Sequence, residues 1–263
     1  MLYKPLKRFG QNYLHDKNIL NKIYNSIAPQ PNDYIIEIGP GYGALTDYFA
    51  NHKYYLGIEI DKRTYSLVIE KYPNLNFINI DFLKFDFNQL PQNTKYRIIG
   101  NIPYNITSPI IFKLLQHHNL IIDVIFMVQY EVAKRICAKP GSDDYSLLTV
   151  ITDFFTRKEF LFKVSRNCFT PKPNVDSAII KLTFITDNLD KCDKNLFIQV
   201  VKASFGNRRK QLKNSLLNSI FKDYNLENSP VDLSKRAEQL VLNDYIELTK
   251  YFYQFMQGEK HEH

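Results

Sequence analysis

The sequence predicts an α/β fold with a mostly parallel sheet over residues 31 to about 185, followed by a small all-helical C-terminal domain. Three observations carry that expectation. Short β-rich apolar runs alternate with helical patterns, and such alternation builds a sheet covered on both faces. A glycine-rich turn, Gly39-Pro-Gly-Tyr-Gly43, follows the first of these runs, where a backbone turns sharply and approaches a ligand. After Thr186-Asp-Asn-Leu-Asp-Lys191 the pattern becomes purely helical. The division falls at 187/188, giving an α/β domain over 1–187 and a helical domain over 188–263.

The elements follow in order. Residues 1–30 form an entry arm and a helix, Ile19–Ile27, closed by Pro29. Strands are expected at Tyr34–Ile38, Tyr54–Ile60, Leu75–Ile80, Tyr96–Gly100, Val124–Gln129, Phe160–Val164 and Ala178–Phe184. Helices are expected at Leu45–Ala50, Thr64–Lys71, Pro109–His117 and Glu131–Ala138. The helical domain is expected to hold Leu196–Ser204, Arg209–Leu217, Ser234–Leu240 and Asn243–Phe255.

Composition narrows the class. The 263 residues allow one large domain and a small one, and 44% apolar residues supply a sizeable core. The first ten residues lack an apolar signal core, and even Leu120–Val128 is broken by Asp123. A soluble, cytoplasmic protein is expected. Cys137, Cys168 and Cys192 are odd in number and widely spaced, which argues against a disulfide framework or a zinc site; no metal is expected. The histidines point to no catalysis: His117 and His118 end a predicted helix, His15 sits in the entry arm, and His261 and His263 lie in a polar tail. The net charge of +7 suits a polyanionic partner. Lys202, Arg208, Arg209, Lys210 and Lys213 form one acid-free basic stretch, and Lys4, Lys7 and Arg8 another. Phosphate contacts by such blocks give salt-sensitive affinity.

The strand ends carry the chemistry. Gly39, Gly41 and Ala44 satisfy G-x-G-x-x-G/A. Glu59 ends the second strand about 20 residues after Gly39, where a ribose hydroxyl pair is held. A nicotinamide dinucleotide and S-adenosylmethionine both fit so far. Three features favour S-adenosylmethionine. Glu37 lies two residues before Gly39, where it repels a pyrophosphate and attracts an ammonium group. Asp81-Phe82 ends the third strand, with an acceptor for an adenine amine and a ring to pack on it. The fourth strand delivers Asn101-Ile102-Pro103-Tyr104. There the Asn101 side chain and the Ile102 carbonyl are two acceptors for an exocyclic amine, Pro103 fixes the turn, and Tyr104 offers a stacking face.

Several segments resemble the ribosomal RNA adenine dimethyltransferase family, most nearly its bacterial small-subunit branch. They include Leu6-Lys-Arg-Phe-Gly-Gln-Asn-Tyr-Leu-His15, Glu37-Ile-Gly-Pro-Gly41, Gly57-Ile-Glu-Ile-Asp61 and Asn101-Ile-Pro-Tyr-Asn105. Ala138-Lys-Pro-Gly-Ser-Asp-Asp-Tyr145, Phe169-Thr-Pro-Lys-Pro-Asn-Val-Asp-Ser177 and Phe205-Gly-Asn-Arg-Arg-Lys-Gln-Leu212 extend the likeness over nearly the whole chain. The resemblance implies a Rossmann-like, S-adenosylmethionine-dependent catalytic domain and dimethylation of two adjacent adenosines near the 3′ end of small-subunit (16S) rRNA during ribosome biogenesis. It implies cofactor contacts at Asn12, Leu14, Gly39, Glu59, Asp81 and Asn101. Around the target base it implies Asn101, Ile102, Pro103 and Tyr104, with Phe169 closing. Arg208, Arg209, Lys210 and Lys213 are expected to bind rRNA in an assembling subunit, with the protein acting as a monomer. Tyr13 stands where the family usually has Phe. Ile102 stands where the small-subunit branch usually has Leu, and the antibiotic-resistance branch shares this Ile. A large-subunit (23S) dimethyltransferase conferring macrolide resistance therefore stays open, as does a non-catalytic rRNA-binding assembly factor.

Overall fold

Two strands meet in the middle of a computed structural model that describes residues 5–6, 10–207 and 209–258: β2 (Tyr34–Ile38) and β5 (Tyr96–Asn101). They are parallel neighbours, in register from Tyr34 opposite Tyr96 to Ile38 opposite Gly100. From β2 the chain moves outward through β3 (Tyr55–Glu59) to β4 (Asn76–Asn79). It then returns to β5 and moves the other way to β6 (Ile121–Gln129). Strands β7 (Thr156–Val164) and β9 (Ser177–Phe184) complete the order β4-β3-β2-β5-β6-β9-β7, with β9 antiparallel to β6. The reversal between β2 and β5 is a switch point, where such sheets open a crevice beyond the strands' carboxyl ends. Ile35, Ile36, Ile38, Ile98, Ile99 and Val124–Val128 are buried, as strands covered on both faces require. A second ladder pairs β1 (Tyr13–Leu14) with β8 (Phe169–Thr170), both too short to show a pattern in sequence.

Helix α1 (Lys17–Ile27) starts where Asp16 accepts from the backbone N–H groups of Asn18 and Ile19. It buries Leu20, Ile23 and Ile27 and stops at Ala28, in the left-handed region at φ 44°. Helices α2 (Lys62–Lys71), α3 (Thr107–Gln116) and α4 (Tyr130–Ile136) follow their strands as expected. The pattern at Leu45–Ala50 forms only a short 3₁₀ turn, Thr46–Phe49. There the Tyr72 hydroxyl donates to the Gly43 carbonyl at 2.8 Å and to Asp47 at 2.6 Å, fixing the segment from outside.

Two compact units result: 1–133 with 159–184, and 134–158 with 185–263. This differs from a single cut at 187/188, because residues 134–158 pack with the C-terminal helices. The insertion carries α5 (Leu147–Phe155), which the apolar, Thr-rich run Leu-Leu-Thr-Val-Ile-Thr-Asp-Phe-Phe conceals in sequence. Phe154 stacks on Phe197 of α6 (Lys194–Ser204) at 4.1 Å, and the Gly141 N–H donates to the Glu238 carbonyl at 2.9 Å.

Two further expectations in this unit change. Helix α7 spans Leu212–Leu217 rather than starting at Arg209, because the N–H groups of Leu212 and Lys213 donate to Lys235 and Leu233 carbonyls. Ser234–Leu240 holds only a 3₁₀ turn, Ala237–Gln239, since Asp232 takes both the Ser234 N–H and its hydroxyl. The last helix, α8, spans Leu242–Gly258. Among the described residues no helix is long and apolar enough to cross a membrane. No group of three or more His, Cys, Asp or Glu is placed to hold a metal ion among them.

Candidate active site at the carboxyl rim of the sheet

The glycine turn leaves β2 with Gly39, Gly41 and Gly43 all at positive φ. At Gly39 a Cβ would meet nothing within 4 Å, so the turn faces open space. At Gly41 it would come within 2.9 Å of the Tyr13 ring, so the entry arm lies directly on the turn. Glu59, at the end of β3, is buried and accepts from the Gly41 N–H and the Asp61 N–H, both at 2.9 Å. A carboxylate has about four acceptor sites, so beyond these amides and the Thr64 side chain Glu59 keeps capacity for a hydroxyl donor. Burial, opposed by these two amides, raises its pKa.

Two bonds moor the entry arm. Gln11 donates to Asp61 at 2.9 Å, and Asn101 donates through Nδ2 to the Asn12 carbonyl at 2.8 Å. Asp61 also accepts a fork from Arg63, at 3.0 and 2.7 Å. The Arg63 bonds, outweighing burial and helped by Gln11, hold the Asp61 carboxyl down at about 2.

The bond from Asn101 to Asn12 orients the Asn101 side-chain amide. It uses the amide nitrogen of Asn101 and leaves Oδ1 as the acceptor. In the following loop the Ile102 N–H donates to Met127 and the Ile106 N–H to the Pro103 carbonyl. The Ile102 carbonyl takes no part in these loop bonds. The Tyr104 hydroxyl is held by the Ser177 hydroxyl at 2.6 Å, which fixes the ring. Burial raises the Tyr104 pKa, so it stays a neutral phenol.

Two hollows share Tyr13, Gly39, Gly41 and Asn101 as walls. The smaller, of about 70 Å³, is lined also by Asn12, Glu59, Ile60, Ile102, Pro103 and Tyr104. The larger, of about 820 Å³, is lined by Leu14, Glu37 and apolar groups such as Leu20, Ile23 and Met127. Glu37 is 3% exposed and accepts from the hydroxyls of Tyr55 at 2.5 Å and Thr46 at 2.9 Å. Burial outweighs these bonds and pushes its pKa up to about 7 from 4.5.

A folded pKa above the unfolded one means that Glu37 supports folding fully below pH 4.5. That support is lost as pH rises through about 7. Glu37→Gln should therefore flatten the fall in stability between pH 5 and 8, a change of about 2–4 kcal/mol. Urea unfolding at a series of pH values checks this; an unchanged slope in the variant contradicts it.

The structure brings Asn12, Leu14, Gly39, Glu59, Asn101, Ile102, Pro103 and Tyr104 to these hollows. Asp81 does not line either one. It sits one residue beyond Ile80 at the β4 end and accepts from the Leu83 N–H at 2.9 Å. Phe82 is buried with Phe85 and Phe87 rather than presenting an open face. Phe169 is 3% exposed, paired with Leu14 across the β1–β8 ladder and packed in the core, while its neighbour Thr170 lines the larger hollow. Arg209, Lys210 and Lys213 are exposed on the second unit. Arg208, Lys4, Lys7, Arg8, His261 and His263 lie outside the described residues. Sequence reasoning missed Gln11, Asp61 and Ser177 as fixing groups; only the acid in Gly57-Ile-Glu-Ile-Asp61 hinted at one of them.

A switch-point crevice with a glycine turn, a strand-end carboxylate and an Asn-x-Pro-Tyr loop defines a Rossmann-like methyltransferase. The family model described as "Ribosomal RNA adenine dimethylase" matches residues 4–254, and the chain belongs to this family. It is 40% identical to "Ribosomal RNA small subunit methyltransferase A" of Saccharophagus degradans over 258 residues, covering 94% of both chains. It is 41% identical to the protein of that name from Chlorobium phaeobacteroides, covering 93% of this chain and 92% of the other. Among solved structures it is similar to a dimethyladenosine transferase from Plasmodium falciparum, with TM-score 0.79, 29% identity and coverage of 92% and 97%. It is also similar to the 23S rRNA methyltransferase ErmE, with TM-score 0.67, 28% identity and coverage of 91% and 98%.

Proposed function

We propose that this chain transfers methyl groups from S-adenosylmethionine to the exocyclic amines of two adjacent adenosines near the 3′ end of small-subunit (16S) rRNA, giving dimethyladenosines. The small-subunit methyltransferases it resembles at about 40% identity support this branch over the large-subunit one. The observation that carries the chemistry is the bond that commits the Asn101 nitrogen to Asn12 and leaves Oδ1 free to accept. The protein acts in the cytoplasm, as a monomer, on an assembling subunit.

The residues present fit the cofactor. Glu59 offers charged acceptors to the ribose hydroxyls, Gly39 leaves room at the turn, and the buried Glu37 lies toward the larger hollow for an ammonium group. Asp81, at the neighbouring strand end and outside the lining of both hollows, takes the adenine amine where the cofactor extends past Glu59. Bound there, S-adenosylmethionine supplies a methyl already activated by its sulfonium. The chain's own task is alignment. A splayed adenosine stacks on Tyr104. Asn101 Oδ1 and the Ile102 carbonyl accept from the amine and draw its lone pair out of the ring system as attack begins. Arg209, Lys210 and Lys213, with Arg208, hold rRNA phosphates.

Glu59→Ala removes a charged hydrogen-bond partner worth about 1.5–3 kcal/mol, so S-adenosylmethionine should bind about 10- to 100-fold more weakly. It also strips the Gly41 and Asp61 amides of their acceptor, whereas Glu59→Gln keeps an oxygen for one of them. The milder loss belongs to Gln. Calorimetry checks both; unchanged affinity, or binding of NAD instead, overturns the cofactor assignment.

A further inference from the structure

Helix α7 carries a mixed stripe on its outward side. Lys213 and Leu217 are four residues apart and share one helical face, with Lys210 in the turn before the helix and Ile220 in the turn after it. All four side chains are exposed. Leu217 is 42% and Ile220 65% exposed, the latter more than any other large apolar side chain among the described residues.

The stripe stands on a rigid support. Leu212, Ser215 and Leu216 are buried beneath it. The Leu212 and Lys213 N–H groups donate to the Lys235 and Leu233 carbonyls at 2.8 and 3.0 Å. Phe221, next to Ile220, stacks on Phe252 of α8 at 4.3 Å. Two aliphatic side chains are thus held out in water by a scaffold that buries their neighbours.

The surroundings favour an anionic occupant. From Lys202 to Lys222 the sequence contains Arg209, Lys210 and Lys213 among its bases and no acid. The stripe itself offers no aromatic face, so it lacks the platform on which single-stranded bases stack. A-form RNA presents a wide, shallow minor groove edged by ribose and flanked by phosphates. From Lys213 to Leu217 the helix advances about 6 Å, short enough for a lysine to reach a phosphate while the leucine meets a neighbouring ribose.

Resting on the reading of this chain as an rRNA methyltransferase, we infer that the stripe seats in the minor groove of a double-helical RNA segment. Lys210 and Lys213 meet phosphates, and Leu217 and Ile220 pack on the ribose edges as an aliphatic wedge.

The test compares wild type, Leu217→Ser/Ile220→Ser and Lys210→Gln/Lys213→Gln. Each is titrated at several salt concentrations with an RNA hairpin of about 16 base pairs, with oligouridine, and with small ribosomal subunits lacking the methylation. The serine pair should lose about 10-fold in affinity for hairpin and subunit with an unchanged salt slope, because an apolar contact releases no counterions. The glutamine pair should weaken binding and reduce the slope by about 2. Both removed aliphatic groups are exposed, so the melting temperature should hold.

Unchanged hairpin affinity in the serine pair overturns the inference. If subunit binding alone falls, the stripe faces a ribosomal protein. An equal loss on oligouridine removes the duplex specificity. A wild-type chain that binds and methylates subunits while the serine pair does so equally well refutes only the wedge. A wild-type chain that binds no RNA and transfers no methyl refutes the functional reading itself.

Discussion

Asn101→Ala should lower methyl-transfer turnover by about 10²–10³-fold, with a much smaller change in rRNA affinity. The magnitude is that of removing one aligned hydrogen-bonding group from a transition-state site. The split follows if the acceptor gains most of its strength as positive charge develops on the amine. The structure adds a second consequence, because the Asn101 side chain also anchors the entry arm at the Asn12 carbonyl. Asn101→Asp separates the roles. It keeps an acceptor but loses the N–H that holds Asn12, so it should restore part of the turnover if the acceptor dominates. S-adenosylmethionine affinity is measured in parallel, since Asn101 borders both hollows. Near-normal dimethyladenosine formation by folded Asn101→Ala would remove this loop from the chemistry.

The largest loss of stability is expected at the opposite end of the strands. Arg97 in β5 is buried and donates to Asp123 at 2.9 and 2.7 Å and to Asp33 at 2.8 Å, while Lys181 approaches Asp123 at 3.6 Å. Arg97 thereby ties β5 to β6 and to the segment entering β2. Burial alone lowers the Arg97 pKa, but Asp123 and Asp33 more than reverse this and keep it charged. Arg97→Met leaves the buried Asp123 without its fork and should cost about 3–5 kcal/mol. Adding Asp123→Leu removes the stranded carboxylate and should recover part of that loss. Urea unfolding of the three proteins decides it. A single variant as stable as wild type would show that the network contributes no net stability.

The legible part of this molecule is its rim. Apolar runs ending in Glu37, Glu59 and Asn101 could be read directly, because a strand buried on both faces has little sequence freedom and its polar terminus stands out. The sheet and its glycine turn followed from the same signal. What stayed hidden depends on contacts between distant segments. Tyr104 and Ser177 meet across 73 positions and Gln11 and Asp61 across 50, and neither pair leaves a local pattern. Residues 134–158 join the C-terminal unit through ring stacking such as Phe154 on Phe197, which periodicity cannot register. The burial of Phe169 and Phe82 could not be read either, since an aromatic beside a polar motif looks the same in sequence whether it faces a ligand or the core.

The central claim is tested most directly by one transfer assay. The protein is incubated with isotopically labelled S-adenosylmethionine and with separated small and large ribosomal subunits from cells lacking it, and the labelled nucleosides are resolved and mapped. The account predicts dimethyladenosine at two adjacent adenosines near the 3′ end of the small-subunit rRNA and no label in the large subunit. Label confined to large-subunit RNA, or none in either by a protein that binds the cofactor, would contradict it.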